Sequence, residues 1–275
     1  MTDYIQRLER AYKSLREKTD FSPDLLLILG SGLGSLADEM QVVTKIDYGE
    51  IDGMPTSTVV GHAGRFLFGY INGVKVAVMQ GRLHYYEGYT PQECVMPIRL
   101  IALAGAKAML LTNASGGITF PEIGTLMRIT DHISLVPSPL RGENWDRLGK
   151  RFPDMTKPYD EKIGKAIDGI ADELGIVLEK GVYIQFQGPN FETASEIKMA
   201  KLLGADAVGM SSAIEVIAAR HAGLRVAAIA CIVNPACGIT KATLDDIDES
   251  VAVEKSGDKL KSLIFNSIAK IKEML

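Results

Sequence analysis

Short apolar runs that end in loops of glycine, serine and asparagine alternate along this chain with segments of helical periodicity. The clearest runs are residues 25–29, which precede the glycine loop 30–34, and residues 108–111, which precede the loop 112–117. Strands that are buried on both faces of a parallel sheet have this continuous apolar character, and helices cover such a sheet. The alternation predicts an α/β fold with a central mixed, mainly parallel β-sheet flanked by helices. Because no Pro- or Ser-rich linker divides the chain, we expect one domain over residues 1–275.

Local signals place the other elements. Ile5, Leu8, Tyr12 and Leu15 recur at helical spacing, so an amphipathic helix is predicted near the N-terminus. The pair Asn72-Gly73 is typical of a hairpin turn. Further strands are predicted at residues 59–68, 74–79, 182–187, 207–208 and 225–233. Further helices are predicted at residues 90–105 with a kink at Pro97, at 163–174, after the capping residues Thr193 and Ser212, and at 260–271.

The charge and the cysteine content exclude several classes of protein. The 275 residues carry a formal net charge of −4 with a pI near 5.7, which argues against a general nucleic-acid-binding protein. The charged N-terminus does not resemble a signal peptide, and no apolar run approaches the roughly 18 residues of a membrane span. The three cysteines and four histidines lack metal-ligand spacing. We expect a cytoplasmic protein with free thiols and no metal or organic cofactor, in which His132, opening an apolar strand, and His221, ending a helix, are structural.

Anion-binding side chains follow two of the predicted strands. The backbone N–H groups of the glycine loop and the Ser31 hydroxyl suit a phosphate, although such a loop also fits a tight turn or, weakly, a dinucleotide site. Arg82 and His84 come directly after another strand, and Tyr86 shares their face if the segment is extended. His62 lies between two strand candidates. Because an arginine binds two phosphate oxygens and a histidine adds a donor, these residues predict a phosphate site.

The second half of the chain carries polar groups suited to a planar heterocycle. Phe191 and Glu192 lie side by side where a strand meets a helix, which offers a stacking face and a hydrogen-bonding carboxylate. Equally, they fit a core aromatic and a partner of the helix dipole. Asn234 is either a combined donor and acceptor or a turn residue before Pro235, and Ser211 is either an anion-binding hydroxyl or a helix cap. These segments taken singly leave both interpretations open.

Taken together, the motifs resemble those of the trimeric, 6-oxopurine-specific purine nucleoside phosphorylase family. They occur in the family's order and span nearly the whole chain, from Leu29-Gly30-Ser31-Gly32 to Asn234. The most specific are Gly61-His62-Ala63-Gly64-Arg65, Gln80-Gly81-Arg82 with His84 to Gly88, Thr112-Asn113-Ala114-Ser115-Gly116-Gly117, Gly188-Pro189 with Phe191-Glu192-Thr193, and Gly204-Ala205-Asp206-Ala207-Val208-Gly209-Met210-Ser211. Long motifs in a fixed order leave little room for chance.

The resemblance implies a homotrimeric enzyme that takes a purine nucleoside and inorganic phosphate. It implies phosphate contacts from Ser31, His62, Arg82, His84, the Ala114 backbone N–H and Ser211, ribose contacts from Tyr86 and Met210, and purine contacts from Phe191, Glu192, Val208 and Asn234, with Phe152 reaching in from a neighbouring subunit. It assigns catalytic roles to His84, Glu192 and Asn234.

One position departs from the family pattern. Many members have a histidine downstream of the asparagine that contacts the ribose 5′-hydroxyl, and the matching position here is Asp248. We expect Asp248 to accept a hydrogen bond from that hydroxyl.

The implied roles agree with the chemistry of glycosidic cleavage. Attack of phosphate on ribose C1′ passes through an oxocarbenium-like state while the departing purine becomes anionic. Asn234 would donate to purine N7 or O6, and Glu192 would accept from N1–H, which 6-oxopurines have and adenine lacks. The alternatives are a methylthioadenosine or other nucleoside phosphorylase, a non-catalytic purine-binding protein, and an oxidoreductase using Asp47 or Glu50 to hold a cofactor ribose.

Overall fold

The computed structural model describes residues 3–30, 39–59, 61, 63–241 and 250–275, with side chains from 255 onward in the last range. The strands are β1 (Leu25–Leu29), β2 (Gln41–Asp47), β3 (Arg65–Ile71), β4 (Val74–Gln80), β5 (Ala108–Gly117), β6 (Leu126–Ser134), β7 (Leu178–Gln185), β8 (Ala207–Gly209) and β9 (Arg225–Pro235). The α-helices are α1 (Asp3–Lys18), α2 (Pro91–Cys94), α3 (Met96–Leu103), α4 (Glu161–Glu173), α5 (Ala194–Leu202), α6 (Ala213–His221) and α7 (Ser250–Lys272). No helix in these ranges has the length and apolar character needed to cross a membrane.

The strands form one mixed sheet. Its order is β2-β3-β4-β1-β5-β8-β7-β6-β9, and β9 also pairs with β5, so the strands from β5 to β9 close into a ring. In the middle of the sheet β4, β1, β5 and β9 run parallel, whereas β2 and β3 form an antiparallel edge. The carboxyl ends of β4, β5 and β9 therefore lie at the same edge of the sheet, which is where α/β proteins bind ligands.

Helices cover both faces of the sheet, as the unbroken apolar run of β1 requires. Leu26 and Ile28 pack into the core that includes α1, α3 and α6, whereas Leu25, Leu27 and Leu29 pack into the core that includes α4 and α7. Because successive side chains of a strand point to opposite faces, a run in which every residue is apolar needs cover on both sides. The predicted fold class is confirmed.

The structure corrects several predicted strand boundaries. The strand predicted at 59–68 is β3 at Arg65–Ile71, because the turn at Asn72-Gly73 sets its register with β4. The segment 112–117, predicted as a loop, continues β5, because β9 pairs with it along its whole length. The strand predicted at 182–187 is β7 at Leu178–Gln185. Strand β2 was not predicted, since its largely exposed pattern lacks an apolar run.

Three further local predictions are corrected. The helix after Thr90 breaks at Val95, because Pro97 lies in the first turn of a new helix and cannot continue the previous one. His132 lies near the end of β6 rather than at its start, with its Nδ1 atom 3.0 Å from the Tyr159 hydroxyl. Ser212 occupies the N-cap position of α6 but makes no side-chain capping bond.

The strand order also excludes the dinucleotide arrangement considered for the glycine loop. That arrangement requires an acidic residue at the end of a parallel strand next to β1. The neighbours of β1 are β4 and β5, while β2, which ends at Asp47, pairs only with the antiparallel β3. The described strands therefore form no cofactor-binding unit around Asp47 or Glu50.

Candidate active site

A cavity of about 150 Å³ opens at the edge of the sheet where β4, β5 and β9 end. Every predicted site residue that the structure describes, except Phe152, lies in its wall: Arg82, His84, Tyr86, Ala114, Phe191, Glu192, Val208, Met210, Ser211 and Asn234. Ser31, His62 and Asp248 lie outside the described residues. The sheet thus brings together residues that are widely separated in the sequence.

Arg82 is the buried cation at one end of the cavity. It follows β4 and is 2% exposed. Its Nη1 atom donates to Ser211 Oγ at 2.8 Å, and its Nη2 atom donates to the Thr112 carbonyl oxygen at 2.5 Å. The same Nη1 atom lies 3.7 Å from Glu215 Oε2 of α6. Bonds from two different segments fix the plane of the guanidinium, which suits it to bind an oxyanion.

His84 lies beside Arg82 and is oriented by a carboxylate. Glu87 Oε1 is 3.1 Å from His84 Nδ1 and accepts the His84 backbone N–H at 2.7 Å. Burial raises the pKa of Glu87, but its bonds to His84 and to the backbone N–H and hydroxyl of Thr58 outweigh burial and lower it to about 2. An ionised carboxylate can only accept a hydrogen bond, so His84 Nδ1 carries a proton and donates a hydrogen bond to Glu87.

The segment from His84 to Tyr86 is not extended. A 3-10 turn at Tyr85–Glu87 instead stacks the His84 and Tyr86 rings at 4.7 Å with 13° between their planes. Gly188 permits the approach of Tyr86 and Met210, because a Cβ at Gly188 would lie 2.4 Å from Met210 Sδ and 3.1 Å from the Tyr86 ring. Tyr86 and Met210, two of the three residues expected to contact ribose, therefore meet at one side of the cavity.

A chain of polar side chains supports the Ser211 hydroxyl from behind. Ser211 Oγ lies 3.2 Å from Ser212 Oγ, which accepts from Asn113 Nδ2 at 2.7 Å. Asn113 Oδ1 in turn accepts from Ser115 Oγ at 2.7 Å. Ser212 has φ 83° and ψ −51°, and the Ala213 N–H donates to the Ser211 carbonyl at 3.2 Å. This is a γ-turn with positive φ, a strained conformation for a residue other than glycine.

Glu192 and Asn234 form the other end of the cavity. Glu192 is 7% exposed, and its Oε1 atom is buried without a hydrogen bond to any described group. Burial raises the pKa of this carboxyl, with a smaller contribution from Glu196. Asn234 Nδ2 donates one hydrogen bond to the Pro235 carbonyl at 2.8 Å, and an amide nitrogen has a second N–H. This end offers an acceptor and a donor to a bound group.

The floor between the two ends is backbone. A Cβ at Gly116 of β5 would lie 3.1 Å from Val208 Cγ1 and 3.3 Å from Asn234 Nδ2. Glycine at position 116 therefore allows the backbone of β5 to lie in close contact with the side chains of Val208 and Asn234. Phe191 at the rim is 51% exposed, so one part of its ring is open to solvent.

Phe152 lies apart from this cavity. Its side chain is 86% exposed and lies with Leu140, Pro153, Met155 and Ile217 around a shallow apolar depression. The contact of Phe152 with purine in a neighbouring subunit stays a prediction.

Sequence reasoning missed three features of the site. Glu87 has a detectable signal, because it lies three residues after His84 within a turn. Glu215 stands three residues after Ser212, where a helix-capping partner is common, and nothing in the sequence distinguishes an outward from an inward carboxylate at that helix position. Asn113 and Ser212 meet across 99 residues of sequence, which only the sheet topology reveals.

Among the described residues, no group of three or more histidine, cysteine, aspartate or glutamate side chains is placed to hold a metal.

Comparisons with known proteins give relatives of one kind. Residues 24–269 match the family model described as the phosphorylase superfamily. Purine nucleoside phosphorylase 1 of Geobacillus stearothermophilus is 44% identical over 253 residues, which cover 90% of this chain and 92% of the relative. A schistosoma purine nucleoside phosphorylase solved with hypoxanthine has a TM-score of 0.88 at 32% identity, over 96% of each chain. The Schistosoma mansoni enzyme solved with adenosine has a TM-score of 0.87 at 32% identity, again over 96% of each chain.

Proposed function

Because the chain belongs to the phosphorylase superfamily and, within it, to the purine nucleoside phosphorylases, we propose that it catalyses the reversible phosphorolysis of inosine and guanosine. The 2′-deoxy forms are also substrates, and the products are the free purine and (deoxy)ribose 1-phosphate. One observation carries the proposal: a single cavity has the Arg82 guanidinium beside His84 at one end and the Glu192 carboxyl at the other. Such a cavity suits a phosphate at one end and a base with an N–H donor at the other.

The phosphate lies at the Arg82 end in this proposal. Arg82, His84 and Ser211 supply side-chain donors, the Ala114 N–H supplies a backbone donor, and Ser31 and His62 complete the set. The geometry that supports this is the bond from Arg82 to Ser211 at 2.8 Å, which brings donors from two elements to one point. A phosphate held there is itself the nucleophile, so the reaction needs no protein nucleophile, metal or organic cofactor.

The reaction then transfers the ribosyl group from nitrogen to oxygen. A phosphate oxygen forms a bond to ribose C1′ as the bond from C1′ to purine N9 breaks, and the electron pair of that bond stays with the purine. The purine anion then takes up the proton that the hydrogen phosphate loses, which gives the free base. Positive charge develops on the sugar beside the phosphate dianion, and negative charge develops on the base. Tyr86, Met210 and Asp248 hold the ribose. Asn234 donates to N7 or O6 of the departing base, where the bond strengthens as charge develops.

Glu192 gives the site its preference for 6-oxopurines. Its ionised carboxylate accepts from N1–H of hypoxanthine or guanine, while Phe191 and Val208 contact the ring faces. Adenine has no N1 proton, so a buried carboxylate would meet a second acceptor, which is unfavourable. The Schistosoma mansoni relative has been solved with adenosine, so binding and turnover of the two bases are separate measurements. Turnover must therefore be compared.

We also propose that the active form is a cytoplasmic homotrimer in which Phe152 closes the site of a neighbouring subunit. The support is an aromatic side chain that is 86% exposed next to an apolar depression. An aromatic ring left in water is typical of a residue that becomes buried on association. Sedimentation of the purified chain tests the assembly, and Phe152→Ala should raise the KM for inosine.

The deciding experiment uses purified protein with inosine, with and without inorganic phosphate, and with adenosine in parallel. Hypoxanthine and ribose 1-phosphate are followed together. We expect hypoxanthine only when phosphate is present, in equal amount with ribose 1-phosphate, and little adenine from adenosine. Release without phosphate would indicate a hydrolase. Faster turnover of adenosine or methylthioadenosine would favour the 6-aminopurine alternative, and binding of hypoxanthine without turnover would indicate a non-catalytic purine-binding protein.

A further inference from the structure

Glu215 is a buried carboxylate directly behind the anion-binding end of the cavity. Its side chain and that of Arg82 are each 2% exposed, and Glu215 Oε2 lies 3.7 Å from Arg82 Nη1. This distance permits an ion pair but is too long for a hydrogen bond. Neither carboxylate oxygen has a hydrogen-bond partner among the described residues. Glu215 therefore acts on Arg82 through its charge.

The orientation of Arg82 does not depend on Glu215. The guanidinium is fixed by its bonds to Ser211 Oγ at 2.8 Å and to the Thr112 carbonyl at 2.5 Å. Removing the charge of Glu215 would leave both bonds in place. It would also leave a buried cation without its counter-ion, which is unfavourable until another anion arrives.

The groups around Glu215 supply no substitute charge. Its carboxylate raises the pKa of Tyr48, Cys94 and Tyr183, each of which burial already raises, so all three stay neutral at physiological pH. Within the part of the chain that the structure describes, Arg82 is the one cationic side chain within 4 Å of Glu215. The two residues thus form a pair of opposite charges at the base of the cavity.

We propose that Glu215 is the resident counter-ion of the anion site and sets its affinity for phosphate. It neutralises Arg82 while the site is empty, and its negative charge opposes the entering phosphate. The same opposition favours departure of the sugar phosphate. This inference rests on the proposed function, in which Arg82 binds phosphate. Glu215 acts on the bound phosphate only through its charge and through Arg82, and it touches no substrate.

The test is the variant Glu215→Gln, which keeps the shape of the side chain and removes its charge. Inorganic phosphate is titrated into the full chain by calorimetry. We expect phosphate to bind roughly ten- to fifty-fold more tightly, the size of the effect of a single nearby buried charge at an effective dielectric constant of about 20. We also expect the KM for phosphate to fall. A merely structural role would weaken phosphate binding or leave it unchanged.

Glu161→Gln is the matched control, because Glu161 is an exposed carboxylate of α4 paired with Lys157 at 2.9 Å. It should bind phosphate as the wild type does. Equal or weaker phosphate affinity in folded Glu215→Gln would overturn the inference. If the wild type itself neither binds phosphate nor uses it, the proposed function fails instead, so the two failures are distinguishable.

A second variant covers the case in which Glu215→Gln does not fold. The pair Arg82→Met with Glu215→Gln removes both charges, and an uncharged pair is far better tolerated than half of a buried ion pair. Recovery of folding in the double variant would support the counter-ion role. Failure of both variants to fold would overturn it, because Glu215 would then be required for a reason unrelated to the charge of Arg82.

Discussion

Because Ser212 lies in a strained γ-turn, we expect the Ser212→Gly variant to have a higher free energy of unfolding than the Ser212→Ala variant. Ser212 has φ 83° and ψ −51°. For a residue other than glycine this conformation costs about 1–3 kcal/mol. Ser212→Ala keeps that cost and also removes the hydroxyl that accepts from Asn113 Nδ2 at 2.7 Å. An unpaired buried amide costs about 1–3 kcal/mol, so Ser212→Ala should lower the free energy of unfolding by that amount.

Ser212→Gly loses the same hydrogen bond but relieves the backbone strain. Glycine has a greater conformational freedom in the unfolded chain, which offsets about 0.5–1 kcal/mol of the gain. The difference leaves Ser212→Gly more stable than Ser212→Ala by up to about 2.5 kcal/mol, and by about 1 kcal/mol at the middle of both ranges. Both variants lose the hydroxyl that lies 3.2 Å from Ser211 Oγ, so the KM for phosphate should rise by a similar factor in both.

Urea unfolding of the two variants and the wild type measures the difference, with phosphate KM values determined on the same preparations. Ser134 of β6 is the control position, because its φ is not positive and its hydroxyl is likewise in a hydrogen bond, which it donates to the Val136 carbonyl. At this position the Ser134→Gly variant should be less stable than the Ser134→Ala variant, which is the reverse of the order expected at Ser212. An alanine variant at 212 as stable as the glycine variant would refute the argument from strain.

Three further predictions concern the cavity. Asn234→Asp should raise the ratio of adenosine to inosine turnover, because a carboxylate accepts from the 6-amino group, and an unchanged ratio would contradict this account of selectivity. Glu87→Gln should lower kcat/KM for phosphate about tenfold by releasing the His84 ring. Since the pKa of Glu87 is lowered to about 2, the stability it contributes is lost as pH falls from about 4.5 through 2, and the variant should unfold with a weaker pH dependence there. Because burial raises the pKa of Glu192, inosine KM should rise as pH falls through that raised value, and a profile identical to that of Glu192→Gln would exclude its role.

The sequence was sufficient to predict the fold class and ten residues of the cavity wall, for two different reasons. Leu25–Leu29 is apolar at every position, and only a strand covered on both faces satisfies that pattern. Arg82 follows β4 and Asn234 lies at the end of β9, and these strands run parallel through β1 and β5, so the topology brings both residues to one edge of the sheet. Glu192 follows β7, which runs antiparallel to β9, and its place in the site was implied by the family resemblance.

The features that escaped prediction depend on contacts between distant segments. Strand β5 continues through residues 112–117 because β9 supplies hydrogen bonds along its length, whereas glycine and serine in isolation favour a loop. Ser212 is a serine at the start of a helix, which is typical of a capping residue. Its hydroxyl instead accepts a hydrogen bond from Asn113, and its backbone adopts positive φ. A cap is a local property, so no reasoning from neighbours in sequence could exclude it.

The carboxylate end of the cavity separates stability from activity. Glu192 Oε1 is buried without a hydrogen bond to any described group, and burial raises its pKa, so its ionised form is disfavoured in the empty protein. The pKa of Glu192 is therefore higher in the folded chain than the value of 4.5 in the unfolded chain. The folded chain gains stability as pH falls through the raised pKa toward 4.5, and at neutral pH this stability is absent. Glu192→Gln removes the penalty and should stabilise the protein at neutral pH while lowering inosine turnover. Leu26→Ala, in the fully buried core, should lower both. Opposite changes at Glu192 and parallel changes at Leu26 would distinguish a residue kept for its ligand from one kept for the fold.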